Sequence, residues 1–343
     1  METPLLNLKR QYQQLRPELE KALAAVFESQ RFIRGPELKE LESAVADYHG
    51  IAHAVGVASG TDALLLLLEA LDLKPGDEVI TTPFTFVATA ETILRAGATP
   101  VFVDIDPATF NLDPNRLEAA RTEKTRGVVP VHLFGLAADL DPILAWAEKN
   151  RLWVMEDCAQ AFGAAYRGRK VGTFGVGGAF SFFPSKNLGG FGDGGLVTTA
   201  DSRRAETVRI LSEHGGRDKY NVVMLGHNSR LDTLQAAVLL VKLRYLRLPA
   251  EPEGSYHTYN QYTVRTGQRD RLQKFLAERK VGTAIYYPFA LHQQELFRKT
   301  ARIAGSLEQS EATSREVLSL PIDPLLTEAE QDYVIEQVKE FFG

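Results

Sequence analysis

Short β-branched runs alternate with helical segments from Ala54 to Ser212, and this alternation constrains the fold more than any other feature of the chain. The candidate strands are Ala54–Val57, Glu78–Thr81, Pro100–Asp104, Gly127–Val131, Leu152–Glu156, Gly178–Phe183 and Leu196–Thr199. The helices between them are Thr61–Leu71, Phe86–Ala96, Asn115–Ala120, Leu140–Asn150 and Ser202–Ser212. Strand then helix, repeated, predicts a mostly parallel sheet covered on both faces, because parallel neighbours need a long crossover. The last two strands are joined by glycines instead of a helix, which predicts one antiparallel member. The expected fold class is α/β: a three-layer α/β/α domain around a mostly parallel seven-stranded sheet. Ligands of such sheets gather at the carboxyl ends of the strands.

Around this unit, residues 1–35 carry Leu5, Leu8, Tyr12, Leu15, Leu19 and Leu23 at roughly helical spacing and form a packing arm. Pro36–Tyr48 reads as an amphipathic helix that starts on its proline. Leu231–Leu246 is a long apolar-periodic helix, followed by strand Tyr259–Arg265, helix Arg269–Arg279, strand Val281–Tyr287 and helices Ser306–Leu318 and Glu328–Phe342. The expected division is an arm at 1–35, a large domain at 36–240 and a smaller C-terminal α/β domain at 241–343.

The strand Gly178–Phe183 runs into a glycine-framed loop, Pro184-Ser185-Lys186-Asn187, and that loop holds the lysine of most chemical interest. A protonated amine is a poor nucleophile, so a lysine that attacks carbonyls needs desolvation or a cationic neighbour. The aromatic strand Ala179-Phe180-Ser181-Phe182-Phe183 supplies an apolar setting, and Pro184 ends its pairing just before Lys186. A solvated surface lysine is the plain alternative. Gly190, Gly192 and Gly195 match a dinucleotide-binding spacing, but they lead into the strand Leu196–Thr199, whereas that fingerprint must open a helix. A nicotinamide enzyme is therefore not indicated.

Three further stretches stand at strand ends. Ser59-Gly60-Thr61-Asp62 follows a strand and starts a helix, where free N–H groups and the positive dipole end attract phosphate. A plain helix cap accounts for the same residues. Glu156-Asp157 closes a strand with a carboxylate that could hold a protonated ring nitrogen, with Gln160 in reach of a phenolic oxygen of the same ring. Phe84-Thr85-Phe86 puts aromatic rings at a strand-to-helix junction, suited to stacking on a planar heterocycle or to ordinary core packing. Phosphate cup, aromatic, aspartate and lysine at successive strand ends are what one planar phosphorylated aldehyde needs.

Composition narrows the alternatives. A net charge of −5 without a long basic run leaves no electrostatic footprint for nucleic acid or an anionic membrane. The longest aliphatic run is Leu64–Leu68, far short of a membrane span, and METPLLNLKRQ lacks the layout of a signal peptide, so a cytoplasmic protein is expected. A single cysteine, Cys158, excludes an internal disulfide and a multi-cysteine zinc site, and no metal is expected.

The blocks SGTDAL, PFTFVATA, PVFVDIDPATFNLD, VVPVHLFG, EDCAQAFGA, FSFFPSKNLGGFGDGG and GHNSRLDTLQAA together resemble the DegT/DnrJ/EryC1/StrS family of sugar aminotransferases. That resemblance runs over nearly the whole chain and implies the fold type I architecture of pyridoxal 5'-phosphate enzymes. It implies that Lys186 carries the cofactor as an internal aldimine, that Asp157 pairs with the pyridinium nitrogen and that Gln160 lies beside the ring oxygen. It also implies that Phe86 stacks on the ring and that Gly60, Thr61 and Ser181 hold the phosphate. Asn228 resembles the residue that completes the phosphate site from the other subunit, which implies a homodimer with shared sites. Arg230, Tyr286 and Tyr287 match positions near the sugar-nucleotide cleft, although Arg230 also suits a structural role. The implied activity moves an amino group, from L-glutamate, to a 3-keto or 4-keto nucleotide-linked sugar in aminosugar biosynthesis.

Two departures from the family pattern stand out. Leu246 runs directly into Arg247-Leu248-Pro249-Ala250, where family members continue with a further helix-length stretch, and Tyr286-Tyr287-Pro288 replaces the more usual histidine-tyrosine-proline. Two rivals belong to other classes: a cofactor-binding regulator or scaffold, against which the full catalytic set argues, and a sugar dehydratase, whose lysine is replaced by histidine.

Overall fold

The computed structural model describes residues 1–246 and 255–343 of the chain. At its centre is a sheet whose strands lie in the order His53–Val57, Gly195–Thr199, Gly177–Ser181, Trp153–Asp157, Thr125–Val128, Glu78–Thr81, Thr99–Phe102 and Arg302–Ile303. Gly195–Thr199 runs antiparallel to both its neighbours and every other adjacent pair is parallel, as the glycine-linked final pair predicts.

The sheet has eight strands where seven were expected. The eighth, Arg302–Ile303, comes from the C-terminal part of the chain, and a two-residue strand carries no period to read. It is fixed by a fork from the Arg302 guanidinium to Glu78, with Nε to Oε1 and Nη2 to Oε2 both at 3.0 Å. The C-terminal stretch thus reaches into the large sheet.

Helices cover both faces. Helix Gly60–Glu69 buries the whole run Leu64–Leu68, which shows that it is enclosed on all sides. Its neighbours are the sheet and the helices Val87–Arg95 and Ser202–Ser212. The N-terminal helix Leu8–Ser29 packs Leu15 and Leu19 against Val238 and Val241 of helix Thr233–Arg244.

Two C-terminal expectations are corrected. Val281–Tyr287 is not a strand; among the described residues it makes isolated bridges, Val281 to Thr3 and Ala284 to Ser319. Helix Ser306–Leu318 is cut short, since the helix is Glu308–Glu316 and Val317–Leu320 pairs with Tyr262–Arg265 as a strand. The second outcome follows from tertiary pairing overriding a weak local preference. The shortened connection after Leu246 lies outside the described residues. Among those described, no helix is long and apolar enough to cross a membrane.

Candidate active site

The carboxyl ends of the parallel strands converge on one rim. Past His53–Val57 the chain turns into helix Gly60–Glu69, whose N-cap Ser59 accepts the Asp62 N–H at 3.0 Å. The N–H groups of Gly60 and Thr61 are left with no helical acceptor. Residue 60 must be glycine, because a Cβ there would lie 2.6 Å from the Cβ of Ser181 at the end of strand Gly177–Ser181. This close approach brings the N-terminal amides of the helix up against Ser181, an arrangement that could hold a phosphate dianion. The acidic Asp62 in that first turn is engaged by the buried Ser229, whose Oγ donates to Oδ2 at 2.8 Å.

The next strand inward, Trp153–Asp157, ends on a buried carboxylate. Asp157 Oδ2 accepts from Thr89 Oγ1 at 2.7 Å, and Oδ1 accepts from the Ala159 N–H at 3.1 Å. Thr89 Oγ1 lies 3.0 Å from Thr85 Oγ1. Since the Thr89 proton goes to the carboxylate, Thr85 supplies the proton between the two hydroxyls. Burial raises the Asp157 carboxyl above its usual value, opposed by these hydrogen bonds and by Lys186 and His132. A buried carboxylate aimed into a site calls for a cationic partner, and a protonated pyridine nitrogen is one.

Lys186 is half-buried on the loop after Ser181, and its N–H donates to Phe183 O at 2.8 Å. Desolvation draws its amine down to about 8, with the Asp157 charge pulling the other way. About a tenth of it is therefore uncharged at pH 7, far more than for an unperturbed lysine, and that fraction can attack a carbonyl.

Gln160 is oriented by the backbone: the Phe134 N–H donates to its Oε1 at 2.8 Å, which turns Nε2 toward the Tyr287 hydroxyl at 2.9 Å. Tyr287 packs edge-on to Phe84 and lies 6.4 Å, centroid to centroid, from Phe86. Burial pushes its hydroxyl far above the usual range. Phe86 caps helix Val87–Arg95 and is 57% exposed, so one ring face is free to stack. Tyr286 stands beside Tyr287, its ring centroid 5.8 Å away.

Arg230 and Asn228 are not grouped with Tyr286 and Tyr287 within one chain. Arg230 Nη1 lies 3.7 Å from Glu213 Oε2, in a charged cluster with Arg34, Glu42 and Arg209. Asn228 is exposed and bridges Glu213 through its backbone.

Thr89 and the buried pair His132–Glu156 have structural parts that their motifs alone did not reveal. The His132 Nδ1 accepts the Ala138 N–H at 3.0 Å, so its proton sits on Nε2 and goes to Glu156 Oε2 at 2.8 Å. Glu156 Oε1 in turn accepts the Phe174 N–H at 2.7 Å. His132, Glu156 and Cys158 are close enough to hold a metal ion, but the histidine and carboxylate are already engaged in these bonds.

The family model for DegT/DnrJ/EryC1/StrS aminotransferases matches residues 13–251 and 245–339. The chain belongs to this family. The two matches meet where the sequence departs from the family pattern. A Geobacillus stearothermophilus protein named pleiotropic regulatory protein is 46% identical, covering 100% of this chain and 99% of its own. That alignment spans 368 positions against 343 residues here, so the relative carries residues that this chain lacks. An Acidithiobacillus ferrooxidans UDP-N-acetyl-3-dehydro-alpha-D-glucosamine 3-aminotransferase is 42% identical over 95% of this chain and 94% of its own. The solved structure of DesV from S. venezuelae, in complex with a ketimine intermediate, superposes with a TM-score of 0.95 at 41% identity, covering 99% of this chain and 98% of that one. This member of the DegT/DnrJ/EryC1/StrS family is an enzyme, a pyridoxal-phosphate-dependent aminotransferase.

Proposed function

We propose that the chain transfers the amino group of L-glutamate to the keto carbon at position 3 of a nucleotide-linked sugar, acting as a homodimer with shared sites. One observation carries the assignment of the site: a desolvated amine, Lys186, faces a buried carboxylate, Asp157, beside the Gly60–Ser181 cradle. Position 3 is favoured over position 4 by the relative from Acidithiobacillus, whose name places the transfer there.

The residues fit pyridoxal phosphate. Gly60, Thr61 and Ser181 would hold its phosphate, Asp157 its ring nitrogen, Gln160 its phenolic oxygen and Phe86 its face. When bound, the cofactor supplies an electron sink that makes a proton on the adjacent carbon labile. Asp157 keeps its charge for the ring nitrogen because Thr89 and the Ala159 amide donate to it. Lys186 Nζ, with its proton affinity lowered by burial, takes that labile proton and returns it one position along. Phe84, Phe86 and Tyr287 form an aromatic wall beside this site. Tyr286, Tyr287 and, across the dimer, Arg230 and Asn228 border the sugar nucleotide and the phosphate. The chain then serves aminosugar synthesis for a surface polysaccharide or a secondary metabolite.

A regulatory reading is favoured by the names of two relatives, the Geobacillus pleiotropic regulatory protein and a Saccharopolyspora erythraea sensory transduction protein. The test separates the two readings. Purified protein is incubated with pyridoxal phosphate, reduced with borohydride and digested, and the label is expected on Lys186. In a separate, unreduced sample, glutamate should convert the cofactor to its amine form, and a 3-keto sugar nucleotide should restore it. Lys186→Ala should abolish both label and conversion. A wild-type protein that binds the cofactor yet never accepts the amino group would establish the regulator instead.

A further inference from the structure

A buried lysine outside the site just described, Lys242, stands against the loop that carries Lys186. We propose that Lys242, on helix Thr233–Arg244, is a positioning residue that fixes the place of Lys186 by holding the carbonyl of Gly189. The inference rests on Lys186 being the reacting lysine.

After Lys186 the chain folds back tightly onto its own strand. The Gly190 N–H donates to Phe182 O at 2.7 Å and the Phe182 N–H to Gly194 O at 2.8 Å. A Cβ on Gly189 would lie 2.3 Å from Pro184 O, so the two arms of the loop touch through their backbones. Two polar side chains of helix Thr233–Arg244 grip the returning arm. Lys242 Nζ donates to Gly189 O at 2.7 Å and lies 4.8 Å from the centre of the Phe191 ring. Gln235 Oε1 accepts the Phe191 N–H at 2.7 Å. A Cβ on Gly190 would stand 2.8 Å from that same oxygen, so a side chain there would push against the Gln235 contact.

Lys242 is 7% exposed and pairs with no carboxylate among the described residues. Burial lowers its amine to about 8, so the fold keeps a lysine where an apolar chain of the same length would sit with less penalty. Its neighbours on the helix, Val238, Leu239, Leu240 and Val241, are buried and apolar. The hydrogen bond to Gly189 and the contact with Phe191 are what a methionine there could not reproduce. Gly189 is three residues from Lys186, so a slack carbonyl at 189 moves the reacting amine.

The experiment compares the full-length wild type with Lys242→Met. The variant is expected to fold, with a melting temperature at neutral pH equal to or above that of the wild type, because a buried charge is removed. Hydrogen exchange at the Gly190 and Phe191 amides should accelerate by about tenfold, while exchange in the strand Trp153–Asp157 stays unchanged. Capture of pyridoxal phosphate by Lys186, trapped with borohydride over time, should slow by about tenfold, as expected for a misplaced nucleophile. Wild-type exchange together with wild-type capture would overturn the proposal. A lowered melting temperature with unchanged capture would overturn it too, since it would leave Lys242 a purely structural role. Should the methionine variant fail to fold, Lys242→Arg keeps a donor: retained loop protection and capture within about threefold of wild type support the proposal, and their loss overturns it. Exchange and capture are read without turnover, so a protein that fails to transfer an amino group would refute the proposed function and leave this inference standing.

Discussion

At the scale of single residues, Asp157 and Lys186 are each made less comfortable as ions by the same enclosure. Burial raises the carboxyl and lowers the amine to about 8. Asp157→Asn should therefore retain the cofactor but lower kcat by about a hundredfold or more, because the amide cannot hold a ring proton in place. Equal kcat in stopped-flow half-reactions would contradict that role. Thr89→Val removes the donor that favours the ionised form of Asp157, and about a tenfold loss is expected there. For Lys186 the sign of the pH effect is fixed. The unfolded lysine holds its proton up to about 10.5, whereas the folded one releases it near 8, so the unfolded state binds more protons between those values and stability rises with pH across that window. Below pH 8 the full cost of burying the charge is present. Cofactor-free Lys186→Met should thus be more stable at pH 7, by on the order of 1–3 kcal/mol after allowance for partial exposure, with the gain vanishing toward pH 10.5. Urea denaturation at both pH values would reveal it. Both residues were legible in the sequence because Asp157 ends a strand and Lys186 sits in the glycine-framed loop that follows one. Thr89 and the contact of Gln160 with Tyr287 were not, since a lone hydroxyl in a helix usually bonds back to its own turn. The second pair, besides, is separated by 127 residues.

At the scale of elements, the cradle depends on two backbones meeting where neither has room for a side chain. Gly60→Ala places a methyl against Ser181 and forces helix Gly60–Glu69 away from strand Gly177–Ser181. Cofactor affinity, measured by equilibrium titration, should fall by about tenfold or more with little change in far-ultraviolet circular dichroism. Unchanged affinity would show that the phosphate sits elsewhere. The last helix gives a second case. Glu330 takes a two-pronged contact from Arg10, the larger cause, and closes a capping box with Thr327, and together these bring its carboxyl down to about 2. A carboxyl lowered in this way stabilises the fold above its usual value of 4.5, and the contribution fades as the pH falls toward 2. The melting temperatures of wild type and Glu330→Gln should accordingly differ at pH 7 and converge in acid. The large-domain elements were readable because their strands are buried β-branched runs and their helices keep one period over several turns. The C-terminal strands were not. Val317–Leu320 continues the apolar spacing of the helix before it, and only pairing with Tyr262–Arg265 makes it extended.

At the scale of the whole molecule, the segment Tyr220–Leu225 is the surface that a single chain accounts for least. Tyr220 is 84% and Leu225 92% exposed, with Val222, Val223 and Met224 also open to water. Apolar side chains gathered this way on one loop mark an interaction surface. Asn228 lies just beyond them, itself exposed, and Ser229 is buried against Asp62 at the phosphate cradle. The loop is thus tied at its base to the very helix start that would hold phosphate, while its tip offers apolar area and Asn228 offers an amide. A second copy of the chain seated on this loop would bury the apolar tip and bring the partner subunit's Asn228 toward a cradle that otherwise relies on Gly60, Thr61 and Ser181. Assembly and cofactor binding then become one linked equilibrium, because a phosphate held by both subunits binds the dimer better than the monomer. Leu225→Lys should weaken the dimer by placing a charge in the buried contact, and pyridoxal phosphate should shift the variant back toward the dimer in sedimentation-velocity runs. Asn228→Ala should leave the wild-type dimer intact without cofactor but lower cofactor affinity by about three- to tenfold, the loss of one hydrogen bond to a charged group. A wild-type protein that sediments as a monomer with the cofactor bound, or an Asn228→Ala variant with unaltered affinity, would place the complete site within one chain.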